Sequence, residues 1–140
     1  MKLFEIVSGT ADTRIRAEGS TRPAFLVAAL EGTFAASGAE SAEEETEHVT
    51  RPFKLATADF PSLLVSLLNQ AIASSREHHE AYDDITFTLV TDTKAEGAFI
   101  GKPTLRFRTN LEAATDRDLD VKKNDIGNWE ATIAFTRAVS

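Results

Sequence analysis

Alternating apolar and polar positions open the chain and predict a β-hairpin. Leu3–Val7 carries four apolar residues beside Glu5, which is typical of a short, partly buried strand. Arg14–Glu18 alternates with a period of two, so we expect a second strand with one face in water. The segment Ser8–Asp12 then connects the two strands. Asp12 can either bind a cation there or hold the turn together through its own backbone, and the pattern leaves both open.

A helical pattern follows the hairpin and has clear start and stop signals. Ser20 or Thr21 can cap the helix, and Pro23 belongs in its first turn, where the missing N–H costs nothing. Gly38 is a typical stop. The apolar positions recur at helical spacing and form one stripe: Phe25, Leu26, Ala28, Ala29, Leu30 and Phe34.

A second helix is predicted to begin after Asp59 and to end near Ser74 and Ser75. Asn69 and Gln70 lie beside its apolar stripe. The stripe itself is broad and consists of Leu63, Leu64, Leu67, Leu68, Ala71 and Ile72. Two helices with one apolar face each need a sheet to cover them.

Most of the remaining chain predicts strands with short connections. Pro52 cannot donate to a ladder, which indicates an edge strand or a bulge, and Pro103 is expected to interrupt another strand. Lys94–Gly97 and Asn124–Gly127 are predicted turns. The strands themselves are His48–Leu55, Ile85–Leu89, Ala98–Phe107 and Trp129–Phe135. The elements together predict an α+β fold, with mainly antiparallel sheets and two helices packed against them, in a single domain covering residues 1–140.

Composition narrows the class of protein. Hydrophobic residues make up 42% of the 140 residues and charged residues 26%, which is the balance of a globular domain with one core. There are no cysteines, so disulfides and thiolate chemistry are excluded, and a reducing cytoplasm is permitted. No signal-peptide pattern and no membrane-spanning stretch is visible. We therefore expect a cytoplasmic protein.

The net charge of −7 indicates which partners the chain favours. Affinity for nucleic acids comes largely from Lys and Arg, so strong direct binding of RNA or DNA is not expected. A basic protein or a cation fits the charge better.

Two clusters of charged residues have a plain explanation and a functional one. Glu40–Glu47 holds five glutamates and is predicted as a solvated loop, with an acidic docking site as the alternative. Arg76–Glu80 includes His78 and His79, whose adjacency does not suit a metal pair, because two ligands on one helical face need a spacing of three or four. We predict an exposed loop there, with metal binding or proton transfer as the alternative.

A row of aspartates with a spacing of two follows near the end of the chain. In an extended strand, Asp116, Asp118 and Asp120 would share one face. A wet outer face is the simpler interpretation, and a hard-cation site of oxygen ligands is the alternative.

The sequence shows no motif of a familiar catalytic centre. It contains no Gly-rich phosphate loop, no serine elbow and no His-x-x-x-His pair. No activated nucleophile or acid–base pair is visible either. We therefore predict a protein that is not an enzyme, and a metal-dependent hydrolase ranks last among the functions.

An ordered set of residues along the chain resembles the archease family. It begins with Thr10-Ala11-Asp12 and continues at matching spacings through most of the sequence. Its further members are Ile15-Arg16-Ala17, Gly19, Ala24-Phe25, Ala28-Ala29, Phe34, Leu63-Leu64-Val65, Leu68-Asn69, Thr115, Asp118-Leu119, Val121, Gly127 and Trp129.

This resemblance implies an accessory function. Archeases are small α+β proteins that assist the GTP-dependent RNA ligase of the RtcB type, which seals tRNA exons, by promoting its guanylylation and turnover. The family holds a divalent cation, Ca²⁺ or Mg²⁺, with the aspartate of its His-Thr-Ala-Asp motif and with acidic groups at the extreme C-terminus. By resemblance the ligands here are Asp12 and the terminal carboxylate of Ser140, and the protein partner is an RNA-splicing ligase.

The chain departs from the family pattern at several positions that carry the chemistry. Gly9 replaces the histidine of the motif, Glu112 stands where a functional lysine is expected, and Ser66 and Gln70 replace acids on the second helix. The end of the chain, residues 135–140, lacks the closing aspartate. Fewer anionic ligands should leave any cation weakly bound or absent. The alternative function is therefore a protein-binding module that keeps the fold without the metal site or the ligase-activating role.

Overall fold

Two antiparallel sheets enclose two helices in the computed structural model, which confirms the predicted α+β fold. The structure describes residues 2–7, 13–41, 48–107, 109, 111–116 and 119–137. Within them the elements are β1 (Lys2–Val7), β2 (Thr13–Gly19), α1 (Arg22–Ser37), β3 (Ala39–Ser41), β4 (Val49–Ala56), α2 (Phe60–His78), β5 (Glu80–Val90), β6 (Lys94–Phe107), β7 (Leu111–Thr115), β8 (Lys122–Lys123) and β9 (Trp129–Arg137).

The first sheet joins the two ends of the chain. Its strand order is β1-β2-β9-β7, and β8 also pairs with β9. Thr13 lies opposite Phe135, and Gly19, at the other end of β2, lies opposite Trp129. The predicted N-terminal hairpin and the predicted last strand are therefore neighbours in one sheet.

The second sheet is built on the long strand β6. β4 and β5 pair with the same stretch of β6 and so lie on its two sides, and β3 pairs with the end of β6 at residues 104–107. The predicted edge position of Pro52 is confirmed, because β4 pairs with β6 and with no second strand of the described chain. Glu40 lies in β3, so the acidic run is not a loop from its first residue, and residues 42–47 lie outside the described residues.

α1 has the predicted signals at both ends and packs against both sheets. The side chain of Thr21 accepts a hydrogen bond from the backbone N–H of Ala24 at 3.1 Å, and Pro23 lies in the first turn. Gly38 ends the helix with φ 63°, the left-handed conformation that glycine adopts without strain. The helix contacts β1 and β2 of one sheet and β5 of the other. Its buried surface is correspondingly wider than one stripe.

α2 begins where predicted but ends later. Asp59 caps it by accepting a hydrogen bond from the backbone N–H of Ser62 at 2.8 Å. Hydrogen bonds from the side chain and then the backbone of Ser62 lower the pKa of the Asp59 carboxyl. The helix continues to His78, and His79, with φ 56°, ends it. The prediction of a loop at residues 76–80 was therefore wrong, because residues 76–78 continue the helix although they are exposed and polar and show no apolar period.

The turn between β5 and β6 also differs from the prediction. The backbone N–H of Thr91 donates to the carbonyl of Lys94 at 2.8 Å, and the Thr91 hydroxyl accepts from the backbone N–H of Lys94 at 2.9 Å. The turn thus precedes Lys94–Gly97, which belongs to β6. Pro103 does not interrupt β6, where it lies opposite Glu80.

None of the helices in the described ranges is long and apolar enough to cross a membrane.

The close contact between β2 and α1 gives a stability prediction. A Cβ atom on Gly19 would lie 2.6 Å from the backbone atoms Ala24 C and Phe25 Cα, which cannot move independently of the helix. We expect Gly19→Ala to lower the free energy of unfolding by about 3 kcal/mol, measured by urea denaturation.

Gly32→Ala is the matched control. Its Cβ would meet the mobile Ile15 Cδ1 at 2.8 Å, and alanine gains about 1 kcal/mol of helix propensity over glycine. Equal losses of unfolding free energy in Gly19→Ala and Gly32→Ala would show that the close approach of β2 to α1 does not limit stability.

Candidate functional site

The two predicted metal ligands, Asp12 and Ser140, lie outside the described residues. The described strands that lead to them do, however, share one end of the first sheet. Val7 pairs with Arg14, Thr13 pairs with Phe135, and β9 continues to Arg137. The chain therefore enters both predicted ligand segments from the same end of one sheet, which we call the ligand end.

β7 completes the ligand end, since Leu111 lies opposite Arg137. Glu112, which replaces the expected lysine, is exposed on this strand. Across α2, Gln70 is exposed and Ser66 is half-buried, so neither of these two substituted positions is part of the core.

Asn69 fixes β7 against α2. Its side-chain amide donates to the carbonyl oxygen of Ala114 at 3.2 Å, and its carbonyl oxygen accepts from the backbone N–H of Ala114 at 2.7 Å. The strand needs these bonds because its register with β9 shifts between Leu111 and Ala113. The sequence placed Asn69 beside the apolar stripe without assigning it this role.

The described residues do not supply a cation site of their own. No group of three or more His, Cys, Asp or Glu side chains lies close enough together within them to hold a metal. Ca²⁺ takes about six to eight oxygen ligands. Cation binding by Asp12 and Ser140 therefore stays a prediction.

The aspartate row does not form the predicted strand. The backbone N–H of Leu119 donates to the carbonyl of Asp116 at 3.2 Å. In a straight strand these two residues would be about 10 Å apart, so the prediction of one extended carboxylate face was wrong. Asp116 and Asp120 are exposed, and Asp118 lies outside the described residues.

The two adjacent histidines lie at the end of α2. The His78 Nε2 atom is 3.8 Å from the Glu77 carboxylate, at the surface, and His79 is the residue that ends the helix. Their exposure was predicted correctly, although their helical setting was not.

A buried carboxylate links β4, α2 and β5 in the second layer of the fold. Glu80, 3% exposed, accepts two hydrogen bonds from Arg51, at 2.8 and 2.7 Å. Tyr82 donates its hydroxyl to the same carboxylate at 2.9 Å and also contacts Ser74. Ser75 donates to the Glu80 carbonyl. Every oxygen of the buried side chain therefore has a partner.

Electrostatics follow from this geometry. The Arg51 guanidinium is the main reason that the pKa of the Glu80 carboxyl lies below its usual value, and burial opposes this effect. Burial raises the pKa of the Tyr82 hydroxyl to about 12. The network thus holds one ion pair, Arg51–Glu80, at neutral pH, and its role is to stabilise the fold.

Glu18 forms a second buried network, at the end of the first sheet opposite the ligand end. It accepts hydrogen bonds from the side chains of Asn128 at 2.8 Å, Asn124 at 2.9 Å and Arg16 at 3.1 Å. These bonds, led by that from Asn128, lower the pKa of the Glu18 carboxyl. The network ties β2 to the predicted turn at Asn124–Gly127, where Gly127 has φ 83°.

Sequence reasoning missed both buried carboxylates for physical reasons. Glu18 was predicted on a wet strand face, but the turn that precedes β9 covers it. Glu80 and Tyr82 share a face with Ile85 only because the register of β5 shifts between Tyr82 and Asp84, which breaks the period of two. Extending β5 backwards with allowance for a bulge would have found them.

Asn69→Ala should release β7 from α2. Both backbone groups of Ala114 would lose a partner, and we expect the free energy of unfolding to fall by about 2–3 kcal/mol, with faster hydrogen exchange at the Ala114 amide. Gln70→Ala, on the next and exposed residue, is the control and should change stability by less than about 0.5 kcal/mol. Unchanged exchange at Ala114 in the Asn69 variant would contradict the assignment.

The Glu80 network should make stability depend on pH. The pKa of Glu80 is lower in the folded than in the unfolded chain, so its stabilisation is complete above the unfolded value of about 4.3 and is lost as pH falls through the folded pKa. We expect Glu80→Gln to be less stable than the wild type at pH 7, with the difference shrinking below about pH 4 in urea denaturation. The exposed Glu112→Gln should give a curve parallel to the wild type; a parallel curve for Glu80→Gln would contradict this role.

Two solved structures, from two organisms, have a similar fold. Protein 1598 of Methanobacterium thermoautotrophicum matches with a TM-score of 0.70 at 16% identity, covering 94% of this chain and 96% of that one. An archease from Thermotoga maritima, described as a possible chaperone, matches with a TM-score of 0.64 at 14% identity, covering 92% and 93%. At such identities the likeness concerns the fold alone. Among curated proteins none matches this sequence.

The family model extends the likeness from fold to sequence. The model of the Archease protein family (MTH1598/TM1083) matches residues 4–135, nearly the whole chain, including Asp12 and the strands of the ligand end. The resemblance predicted from the ordered residues is thereby confirmed. The chain belongs to the archease family.

Proposed function

We propose that this protein is a non-catalytic accessory factor that assists a GTP-dependent, tRNA-splicing RNA ligase. The observation that carries the proposal is the family match over residues 4–135. It is supported by the possible chaperone role described for the similar Thermotoga maritima protein. A chaperone-like protein acts through the surface that it offers to a partner.

The ligand end is the surface proposed for this role. Strands β1, β2 and β9 lead into the segments of Asp12 and Ser140 from one side of the sheet. Asn69 and the pairing of Leu111 with Arg137 hold β7 beside them. Rigid strands position such groups more accurately than a long loop would.

A divalent cation, where bound, would add positive charge at this end of an acidic protein. Asp12 and the carboxylate of Ser140 are the oxygen ligands proposed for it. Two such groups are far fewer than the six or more that Ca²⁺ takes, and the described residues add no carboxylate cluster. We therefore attribute the accessory role to contact between the ligand end and the ligase, and a weakly bound cation would add to that contact.

The departures from the family pattern favour a second candidate. Glu112 is exposed on β7 and has the opposite charge to the expected lysine. An anionic partner group that the lysine would attract is repelled here. A protein-binding module that lacks the metal site and the ligase-activating role is therefore the alternative.

A ligation assay separates the two candidates. With the GTP-dependent ligase of the same organism, the wild-type protein should raise guanylylation and multiple turnover of RNA joining. Asp12→Asn should reduce that stimulation by about tenfold or more, because it removes a carboxylate proposed for the contact surface, and one such interface residue can contribute about 2 kcal/mol.

Asp125→Asn is the matched control, because it changes an exposed aspartate in the turn at the opposite end of the sheet. It should stimulate like the wild type. If the wild-type protein bound the ligase without stimulating it, the binding-module alternative would be supported. If it neither bound nor stimulated the ligase, the accessory function would be refuted.

A further inference from the structure

Three edge strands in the described part of the chain, β4, β5 and β7, carry features that prevent further strand pairing. β4 contains Pro52, which lacks an N–H, together with charged residues. β5 shifts its register twice, near Tyr82 and near Leu89. β7 is five residues long and shifts its register after Leu111. Bulges, prolines and short strands are the usual protection of an exposed edge.

β1 is another edge strand; it carries two charged residues, Lys2 and Glu5, but neither a proline nor a register shift. It pairs with β2 through six successive residues, from Lys2 to Val7. Leu3 and Ile6 are 37% and 51% exposed, and they are two of the four exposed large hydrophobic residues in the described chain. A regular, apolar edge of this kind is a template for an added strand.

A cleft lies beside this edge, on the inner side of the sheet. It has a volume of about 250 Å³ and lies between β1, α1 and the paired strands β5 and β6. Phe4, Phe34 and Ala81 give it apolar walls, while Glu31 and Lys102 contribute charge. The volume admits one large side chain of a strand added next to β1.

We propose that the outer edge of β1 is the docking site for an extended segment of the partner ligase, which adds a strand to the first sheet and inserts one inward side chain into the cleft. This inference rests on the proposed function and names its contact surface. Main-chain hydrogen bonds along the edge supply affinity, and the cleft supplies side-chain specificity.

Charge decides between a different protein and a second copy of this chain. Two copies of the chain would each carry a net charge of −7, and the repulsion between the whole molecules disfavours pairing of β1 with itself. Glu5, on the outer face of β1, accepts a hydrogen bond from Arg16 at 2.7 Å, and its side chain is still 59% exposed to a further basic group. The docked segment therefore combines apolar residues opposite Leu3 and Ile6 with a basic residue opposite Glu5.

The position of β1 is consistent with this role. The strand ends at Val7, directly before the segment that contains Asp12. A segment docked on β1 would thus bring its own protein to the ligand end.

The test compares two double variants with identical chemistry. Leu3→Lys with Ile6→Lys alters the proposed edge, and Leu89→Lys with Ile126→Lys alters the other two exposed hydrophobic residues. Both raise the net charge by the same amount. Ligase binding is measured by calorimetry with the full-length protein, and self-association by sedimentation. Unfolding curves establish that each variant is folded, and Ile6→Ser against Ile126→Ser provides a milder pair.

We expect the edge variant to bind the ligase about tenfold or more weakly, and the control variant to bind within about twofold of the wild type. Equal affinities in both variants, with ligase stimulation intact, would overturn the docking site and leave the proposed function standing. Absence of wild-type binding and stimulation would overturn both. A wild-type dimer that becomes monomeric in the edge variant would assign the edge to a second copy instead.

Discussion

The fold depends on the burial of α1 between two sheets. A helix that contacts both layers must be apolar on several sides, and the residues from Phe25 to Leu30 are all buried. It must also approach β2 closely, which Gly19 permits because a side chain there would meet the helix backbone. The remaining elements follow from this constraint: α2 fills the rest of the middle layer, and each sheet covers one side of it.

Two buried carboxylates fix how the layers meet at their margins. Glu80 joins β4, α2 and β5, and Glu18 joins β2 to the turn before β9. Each has its oxygens satisfied by several donors, which is the condition for keeping a charge in the interior. Both lie away from the ligand end. The network residues therefore stabilise a scaffold, and the groups proposed for function are left to one end of the first sheet and its neighbouring edge.

The features proposed for partner contact share a physical character. The ligand end, the open edge of β1 and the cleft beside Phe4 lie next to one another, where the first sheet ends. The acidic net charge of the chain favours a basic partner segment at these surfaces.

The sequence by itself determined the fold class, both helix starts and the family. Capping residues, proline in the first turn and helical periodicity are local signals, and the structure confirms them at Thr21 and Asp59. The ordered set of residues along most of the chain, from Thr10 to Trp129, was enough to indicate an archease. The tertiary structure decided which polar side chains are buried and which distant groups they bind. Register shifts in β5 placed Glu80 and Tyr82 inside, a distant turn covered Glu18, and the amide of Asn69 found its strand partner 45 residues away. A polar group can be buried only where a donor or acceptor from a distant part of the chain reaches it. Local sequence patterns do not show which distant residues will lie close together.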